Sequence, residues 1–463
     1  MTGSNHRWIA RGLRPLAATV AVSAMVLGMT ACSGGDNKGG LGGGATEGAS
    51  GPVTLVVPTS QAPWNPAYAK LVQAYQEETG NKVELRPFPN PDVKTQQIND
   101  IQSQKHTFDV FQVNGSDLGQ FNESGLLQPL NEIDPSYTMD SHIYSFGNLA
   151  KWDSATKSFS ESGELVDLPF SGNLDIFVYR KDIYKELGLK VPTSWPEVIA
   201  NSEKIAEAKA AKYPIVFRTQ GIPGASANTF DFQAILGAAG GGWYASPGTD
   251  WKPTADTAEG IQAATWMRDL AKFGPEAVST IGQAQVIAEL QNGNAAQSFL
   301  VAAAASQLED ESNSNEAGKF GYAPLPLAPD GQAAPGTGIW FLGVPAGLPQ
   351  ERAKAALDYI TWMTSQKAQT LFAQNGGIPI RDDYSTDGIS APQKEALAAY
   401  SDTASKLPGA STSIWYPFAT EMLNITEPGL ESIAAGTVTP EEGMKKMQAA
   451  LEAMVTKLDL PQK

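Results

Sequence analysis

The 463 residues hold few groups able to do covalent chemistry. Cys32 is the single cysteine, and the histidines are His6, His106 and His142. One cysteine cannot close an internal disulfide. The chain has no GxSxG elbow, no GxxxxGKS/T phosphate loop and no HExxH helix. Metal sites built on His and Cys lack ligands, and no residue pattern calls for a metal or a cofactor. The 49 carboxylates are not singled out by any spacing, so the chain reads as a non-enzyme. A glycosidase-like pair of acids facing each other across a cleft is the alternative that counting leaves open. A different chemistry stands out. Aromatic side chains sit beside small residues in predicted loops: Trp64 after Gln61-Ala62-Pro63, Trp243-Tyr244 after three glycines, Trp340-Phe341 after Gly336-Thr337-Gly338, and Trp415-Tyr416 before Pro417. Flat rings cover the apolar C–H faces of a sugar while amides bond its hydroxyl rim. Core packing competes as an explanation for each ring, and is the better one for Trp195, Trp266 and Trp362 within helices.

The elements that must position these residues alternate in type. Val53–Pro58 reads as a buried strand, and Asn65-Pro66 opens a helix that Gly80 ends. Lys82–Arg86 and Asp109–Asn114 read as further strands with a helix between them. The pattern restarts after Leu168-Pro169 with a strand at Asp175–Arg180 and a capping box at Ser194–Glu197 opening a helix. Pro214–Arg218, Ala295–Val301 and Gly338–Val344 are strand candidates, and 228–239 and 261–273 helices. From Gln350 the chain reads as mainly helical, over roughly 350–374, 391–405, 413–434 and 439–458. Strand–helix alternation predicts an α/β fold with mostly parallel sheets flanked by helices. A body of about 410 residues exceeds what one core holds, which predicts two lobes. Open α/β sheets bind ligands beyond their strand ends, which favours Trp64, Trp243 and Trp340.

The N-terminus has its own logic. Arg7, Arg11 and Arg14 precede an apolar run from Leu16 to Leu27, shorter than the ~20 residues of a spanning helix. Met29-Thr30-Ala31-Cys32 follows and resembles a bacterial lipobox, with Met29 where leucine is usual. The resemblance implies a signal peptide over 1–31, cleavage before Cys32 and acylation of its thiol. Residues 32–52 are glycine-rich and form a tether spanning roughly 25 Å. Cleavage would remove three arginines and no acid, moving the formal charge from −16 to −19. That balance excludes nucleic acid as a partner and disfavours adsorption to an anionic leaflet.

Several segments carry a family resemblance. Leu168-Pro-Phe-Ser-Gly-Asn173, Phe177-Val-Tyr-Arg-Lys-Asp182, Leu187-Gly-Leu189 and Val191-Pro-Thr-Ser-Trp-Pro-Glu197 follow one another in the family's order. So do Asp109-Val-Phe, Gly125-Leu-Leu-Gln-Pro-Leu130, Gln291-Asn-Gly-Asn-Ala-Ala296 and Gly376-Gly-Ile-Pro379. The chain resembles, over residues 53–460, the extracellular solute-binding proteins of ABC importers, in the carbohydrate-binding group with maltose- and trehalose-binding proteins. Two departures are visible: Arg180 stands where asparagine is usual, and Ser298–Ala302 lacks a tryptophan the family often has, so that one stacking platform is either missing or supplied by Phe299.

The resemblance implies a periplasmic-binding-protein type II fold, with two lobes closing by hinge bending on a ligand cleft between them. Lobe 1 is placed at 53–168 plus 295–344, and lobe 2 at 169–294 plus 345–463. Carried over by position, the ligand-binding residues are Gln61, Trp64, Asn114, Ser171, Gly172, Asn173, Trp243, Trp340 and Arg381, with Phe230 and Phe232 as weaker members of an aromatic wall. An Asx turn is the competing role for Asn114, and a salt bridge for Arg381. The implied function is capture of a sugar or oligosaccharide by a monomer anchored through Cys32 to the outer face of the cytoplasmic membrane. The ligand would pass to permease subunits driven by a cytoplasmic ATPase. A phosphorylated polyol, such as glycerol 3-phosphate or a glycerophosphodiester, is the alternative on the same fold. It would need more than one cation or a helix N-terminus, and only Arg381 and, loosely, Arg218 are placed near the cleft. A secreted carbohydrate-active enzyme is the alternative from another class.

Overall fold

The structure, a computed structural model, describes residues 51–62, 64–89, 92–407 and 414–463. Cys32, the segment 1–31 and nearly all of the tether lie outside the described residues. Strand β1 (Thr54–Ser60) pairs in parallel with β2 (Lys82–Phe88), from Thr54 opposite Lys82 to Ser60 opposite Phe88. The helix Asn65–Thr79 makes the crossover that a parallel pair requires. It buries Tyr68, Leu71, Val72 and Tyr75 and ends at Gly80, whose φ of 75° suits a residue without Cβ. Its N-cap is Trp64 rather than Asn65, whose side chain instead accepts from the Ala62 N–H at 3.3 Å.

Two three-stranded sheets frame the rest. In the first, β8 (Trp340–Gly343) lies between β3 (Phe111–Asn114) and β4 (Asp167–Ser171) and runs antiparallel to both. In the second, β5 (Asp175–Arg180) lies between β6 (Gln297–Val301) and β7 (Phe320–Ala323), again antiparallel to both. The outer strands of each trio therefore run parallel to one another, with a reversed strand between them. Pro214–Arg218 forms no strand; it is extended chain beside β6, held by the Val216 N–H on the Gln297 carbonyl at 3.1 Å.

These pairings group the strands differently from the expected lobe boundaries. Strands β6 and β7 belong with β5, so of 295–344 only β8 joins the first sheet. The helices Gln350–Met363 and Gln366–Gln374, expected in lobe 2, pack with helix Asn65–Thr79 in one core holding Leu55, Leu168, Phe170, Tyr359 and Phe372. The Tyr68 and Tyr359 hydroxyls meet there at 2.6 Å. The helix Ala391–Ser405 packs on the second sheet against β5 and β7. Periodicity reports which face of a helix is apolar, not which of two apolar sheets receives it.

Side-chain caps account for six of the helix starts among the described residues. Thr257, Ser365 and Ser390 each accept from a backbone N–H within the first turn, and Thr439 with Glu442 forms a reciprocal capping box. At Ser194 the box is half made: its hydroxyl accepts from the Glu197 N–H, while the Glu197 carboxylate accepts from the Thr193 N–H at 2.7 Å. Among the described residues no helix is long and apolar enough to cross a membrane.

The chain passes from the first sheet to the second through Ser171–Leu174. There the Gly172 N–H bonds the Ile378 carbonyl at 2.9 Å, and the missing Cβ is what admits the buried Tyr400 hydroxyl. Gly172→Ala should overpack this crossing and lower unfolding free energy by about 1–3 kcal/mol. Urea denaturation reads this directly, and an unchanged midpoint would show that Tyr400 is not the constraint.

Candidate functional site

A cleft of about 380 Å³ is lined by strand ends, loops and helices that flank both sheets. Its position follows from the β8 ladder. Trp340, at the start of β8, lies opposite Asn114 on one side and Ser171 on the other. Asn114 ends β3 and caps the helix Gly115–Glu123, its Oδ1 accepting from the Ser116 N–H at 3.0 Å. The competing reading for Asn114 is thus realised, yet its amide nitrogen is left unused at the cleft wall. Gln61 and Trp64 come from the loop after β1. The Trp64 ring meets Trp340, Phe170 and Tyr68 edge-on, with centroids 5.5, 5.0 and 5.7 Å apart, and its buried indole N–H has no partner among the described residues.

The opposite wall comes from the second sheet and its helices. Asn173 leaves the crossing and accepts from the Ala303 N–H at 3.4 Å, with its amide nitrogen against Gly338. Gln283 starts the helix Gln283–Gln291, and Gln307 follows the small-residue run Ala302–Ala305 after β6. Neither Gln283 nor Gln307 has a hydrogen-bond partner for its amide among the described residues. Phe230 lies on the helix Asn228–Ala238, 6.4 Å from Trp415, whose indole N–H donates to the Thr337 carbonyl at 2.8 Å. The wall thus offers rings and uncharged amides.

Arg218 is the only charged residue lining the cleft among the described residues. Its Nε donates to the Asp231 carboxylate, as does its own backbone N–H at 2.9 Å, and its Nη2 lies 3.3 Å from Asp175 Oδ1. The guanidinium carbon sits 4.3 Å over the Phe230 ring. Burial pushes both Asp175 and Asp231 above the usual carboxylate range, opposed by Arg218; the neighbouring Asp231 raises Asp175 further. Burial lowers the Arg218 pKa, but the two carboxylates outweigh it and hold the guanidinium charged.

A third buried carboxylate shapes this wall without lining it. Glu427, in the helix Ala419–Ala435, accepts from the backbone N–H groups of Ile222, Ala227, Asn228 and Thr229 at 2.9–3.3 Å. It supplies in trans the cap that Ala227 cannot give to the helix Asn228–Ala238. Burial raises its pKa, against the pull of these donors.

The structure gathers Gln61, Trp64, Asn114, Asn173 and Trp340 at the cleft, along with Phe230 and Arg218. It places the other expected residues elsewhere. Trp243 is buried behind the helix Asn228–Ala238, packs on Phe232 at 5.7 Å and donates to Gln233. Ser171 is inside the first sheet, and Gly172 packs on Tyr400. Phe299 stacks on Phe217 at 5.0 Å and meets Trp195 edge-on at 4.9 Å, so it replaces no cleft tryptophan. Arg381 pairs with Asp383 at 2.7 Å and Asp140 at 2.9 Å, away from the cleft. His142, Asp382 and Asp383 cluster at the surface beside it, with His142 Nδ1 2.8 Å from Asp382. Ser116, Ser226, Gln283 and Gln307 line the cleft without having been singled out; isolated polar residues in loops and helix starts carry no motif.

Comparison with known proteins adds the family. Residues 59–370 match the profile of the bacterial extracellular solute-binding protein family. A mannitol-binding protein from Pseudomonas aeruginosa is 26% identical over 283 residues, 60% of this chain and 61% of that protein. The chain spans between about half and three fifths of the first two relatives it matches. A solute-binding protein from Agrobacterium radiobacter K84, solved with ribitol, superposes with a TM-score of 0.70 at 20% identity, over 87% of this chain and 98% of that one. UgpB from Mycobacterium tuberculosis, solved with glycerophosphocholine, gives 0.68 at 20% identity, over 89% and 100%. These likenesses show the fold, two α/β lobes with the cleft between them. The chain belongs to the bacterial extracellular solute-binding protein family, whose members work outside the cytoplasm as binding proteins rather than enzymes.

Proposed function

We infer that the protein is the substrate-binding component of an ABC importer and that its ligand is a small, neutral, polyhydroxylated solute, a sugar or sugar alcohol. The observation that carries this reading is the cleft lining: aromatic rings and unpartnered amides, no carboxylate among the described residues, and a single arginine already balanced by two acids. Rings take C–H faces, and amides both donate to and accept from hydroxyls. About 380 Å³ lies at the small end of ligand sites, which favours one or two sugar units over a long oligosaccharide. The mannitol-binding relative supports the same class.

The other readings fit less well. A glycosidase needs two carboxylates at the cleft. A phosphate ester needs free cationic donors, and Arg218 is neutralised while Arg381 is engaged elsewhere. In this reading Gln61, Trp64, Asn114, Asn173, Trp340, Phe230 and Arg218 touch the ligand. Lobe 1 holds β1–β4, β8, the helices between β1 and β4 and those over 350–374, and lobe 2 holds β5–β7 with the helices between 181 and 308 and from 391 to 463. A monomer acylated at Cys32 would deliver the closed, loaded form to permease subunits at the membrane.

A thermal-shift and tryptophan-fluorescence screen against sugars, sugar alcohols and glycerophosphodiesters tests the ligand class. A neutral ligand at 100 times its Kd should add about 2.7 kcal/mol of stability. A response confined to phosphorylated compounds would overturn the reading. Trp64→Ala and Trp340→Ala should each weaken binding about 10-fold or more, through loss of ring contact. Glu427→Gln replaces an acceptor with an NH₂ facing backbone N–H groups. It should cost about 1–3 kcal/mol of stability and weaken binding through the loop that carries Ser226 and Phe230. Calorimetric titration that finds both tryptophan variants binding like the wild type would sink the site assignment.

A further inference from the structure

Arg218, Asp175 and Asp231 form a charge cluster that a neutral ligand does not require. All three are buried, at 5%, 0% and 1% exposure. They come from three places: the extended chain after Tyr213, strand β5 just past the crossing, and the first turn of the helix Asn228–Ala238. Burying three ionisable groups is costly, and truncating one member leaves an uncompensated charge. Only Arg218 reaches the cleft; the two carboxylates lie behind it and line no part of it. Asp231 engages Nε and Nη2, Asp175 engages Nη2, and the face of the guanidinium lies on Phe230. Nη1 takes part in none of these bonds, so the ligand side of Arg218 keeps N–H donors while its charge is balanced from behind. Among the described residues every other polar group at the cleft is uncharged: an amide, a hydroxyl or an indole N–H.

We propose that Asp175 and Asp231 are positioning residues that set the charge selectivity of the cleft: they turn its one arginine into a donor for hydroxyl groups and disfavour anionic ligands. This rests on the reading of the ligand as a neutral polyol. A hydroxyl oxygen accepts from Nη1 without needing the guanidinium's net charge. A phosphate or carboxylate must be desolvated beside a cation already paired with two acids, with no second cation lining the cleft to compensate. The selectivity is thus held by residues that never touch the ligand, and it is invisible in the list of cleft residues alone.

The test uses the near-isosteric variants Asp175→Asn, Asp231→Asn and the double variant. Ribitol and D-mannitol are compared with their monophosphates by calorimetry at low and high salt. The wild type is expected to bind at least one neutral polyol more tightly than its phosphate. The double variant should shift the phosphate-to-polyol affinity ratio towards the phosphate by about 10-fold or more, and the gain should shrink at high salt. Each single variant should show a smaller shift in the same direction, so the singles carry the test if the double variant fails to fold by its melting curve. A parallel loss of both affinities with an unchanged ratio would show a merely structural role and overturn the proposal. A wild type that binds neither polyol nor phosphate, beside variants that acquire phosphate binding, would instead overturn the choice of neutral ligand while leaving the charge role standing.

Discussion

Strand β8 is the constraint on which the site depends. It is reversed between β3 and β4, and its four residues fix which side chains reach the cleft. With Gly343 opposite Phe111 and Asp167, Trp340 must fall at the strand end beside Asn114 and Ser171. A one-residue slip would turn every side chain of β8 to the other face of the sheet. The irregularity between Trp340 and Phe341 on the β4 side lets Trp340 pair with Ser171 while Phe341 pairs with Pro169. From there the Gly338 N–H bonds the Asn173 carbonyl at 2.8 Å, which ties the loop before β8 to the crossing into the second sheet. The aromatic floor of the cleft and the connection between the sheets are parts of one ladder.

The second wall is organised by buried carboxylates rather than by a ladder. Glu427 gathers four backbone N–H groups, and Glu431 takes the Gly221 N–H at 2.7 Å. Together they hold the chain over 221–229 in place of secondary structure. Asp231 and Asp175 then fix the guanidinium that this chain brings to the cleft. The wall is thus held by polar pairing where the first wall is held by aromatic packing, with Asp175 Oδ2 and Asn228 Oδ1 left unpartnered among the described residues. Both arrangements give the ligand a rigid surface with unused amide donors and acceptors, which lowers the entropic cost of binding.

Local elements were legible in the sequence to different degrees. Helix signals were read closely: 391–405 and the Thr439 cap fall where Ser390, Pro392, Thr439 and Pro440 predict them. Most strands were recognised as strands, though Asp167–Ser171 and Phe320–Ala323 were missed and Pro214–Arg218 forms none, and their partners were not read. Gln297–Val301 has the same buried apolar pattern whichever sheet it joins, and ladder membership is a long-range choice. The same limit explains the site. Trp64 and Trp340 lie at the cleft where rings beside small residues at strand ends were expected. Trp243 shared that local pattern, yet its neighbour Gln233 offered a buried acceptor and the ring turned inward. Arg381 followed a glycine loop as expected, but Asp140 and Asp383 took its charge. Sequence spacing cannot see a partner 241 positions away.

The central claim is that a neutral cleft recognises hydroxyl groups through rings and amides, with its arginine charge already balanced. Calorimetric titration of the protein with a sugar alcohol across a range of ionic strength tests it most directly. Charge-driven binding weakens as the screening length falls from about 30 Å at 0.01 M salt to about 3 Å at 1 M. The account predicts an affinity that changes by less than about twofold over that range, because the ligand carries no charge for the cleft to attract. A steep loss of affinity with salt, or an absence of binding by every neutral polyol and sugar while anionic ones bind, would contradict it.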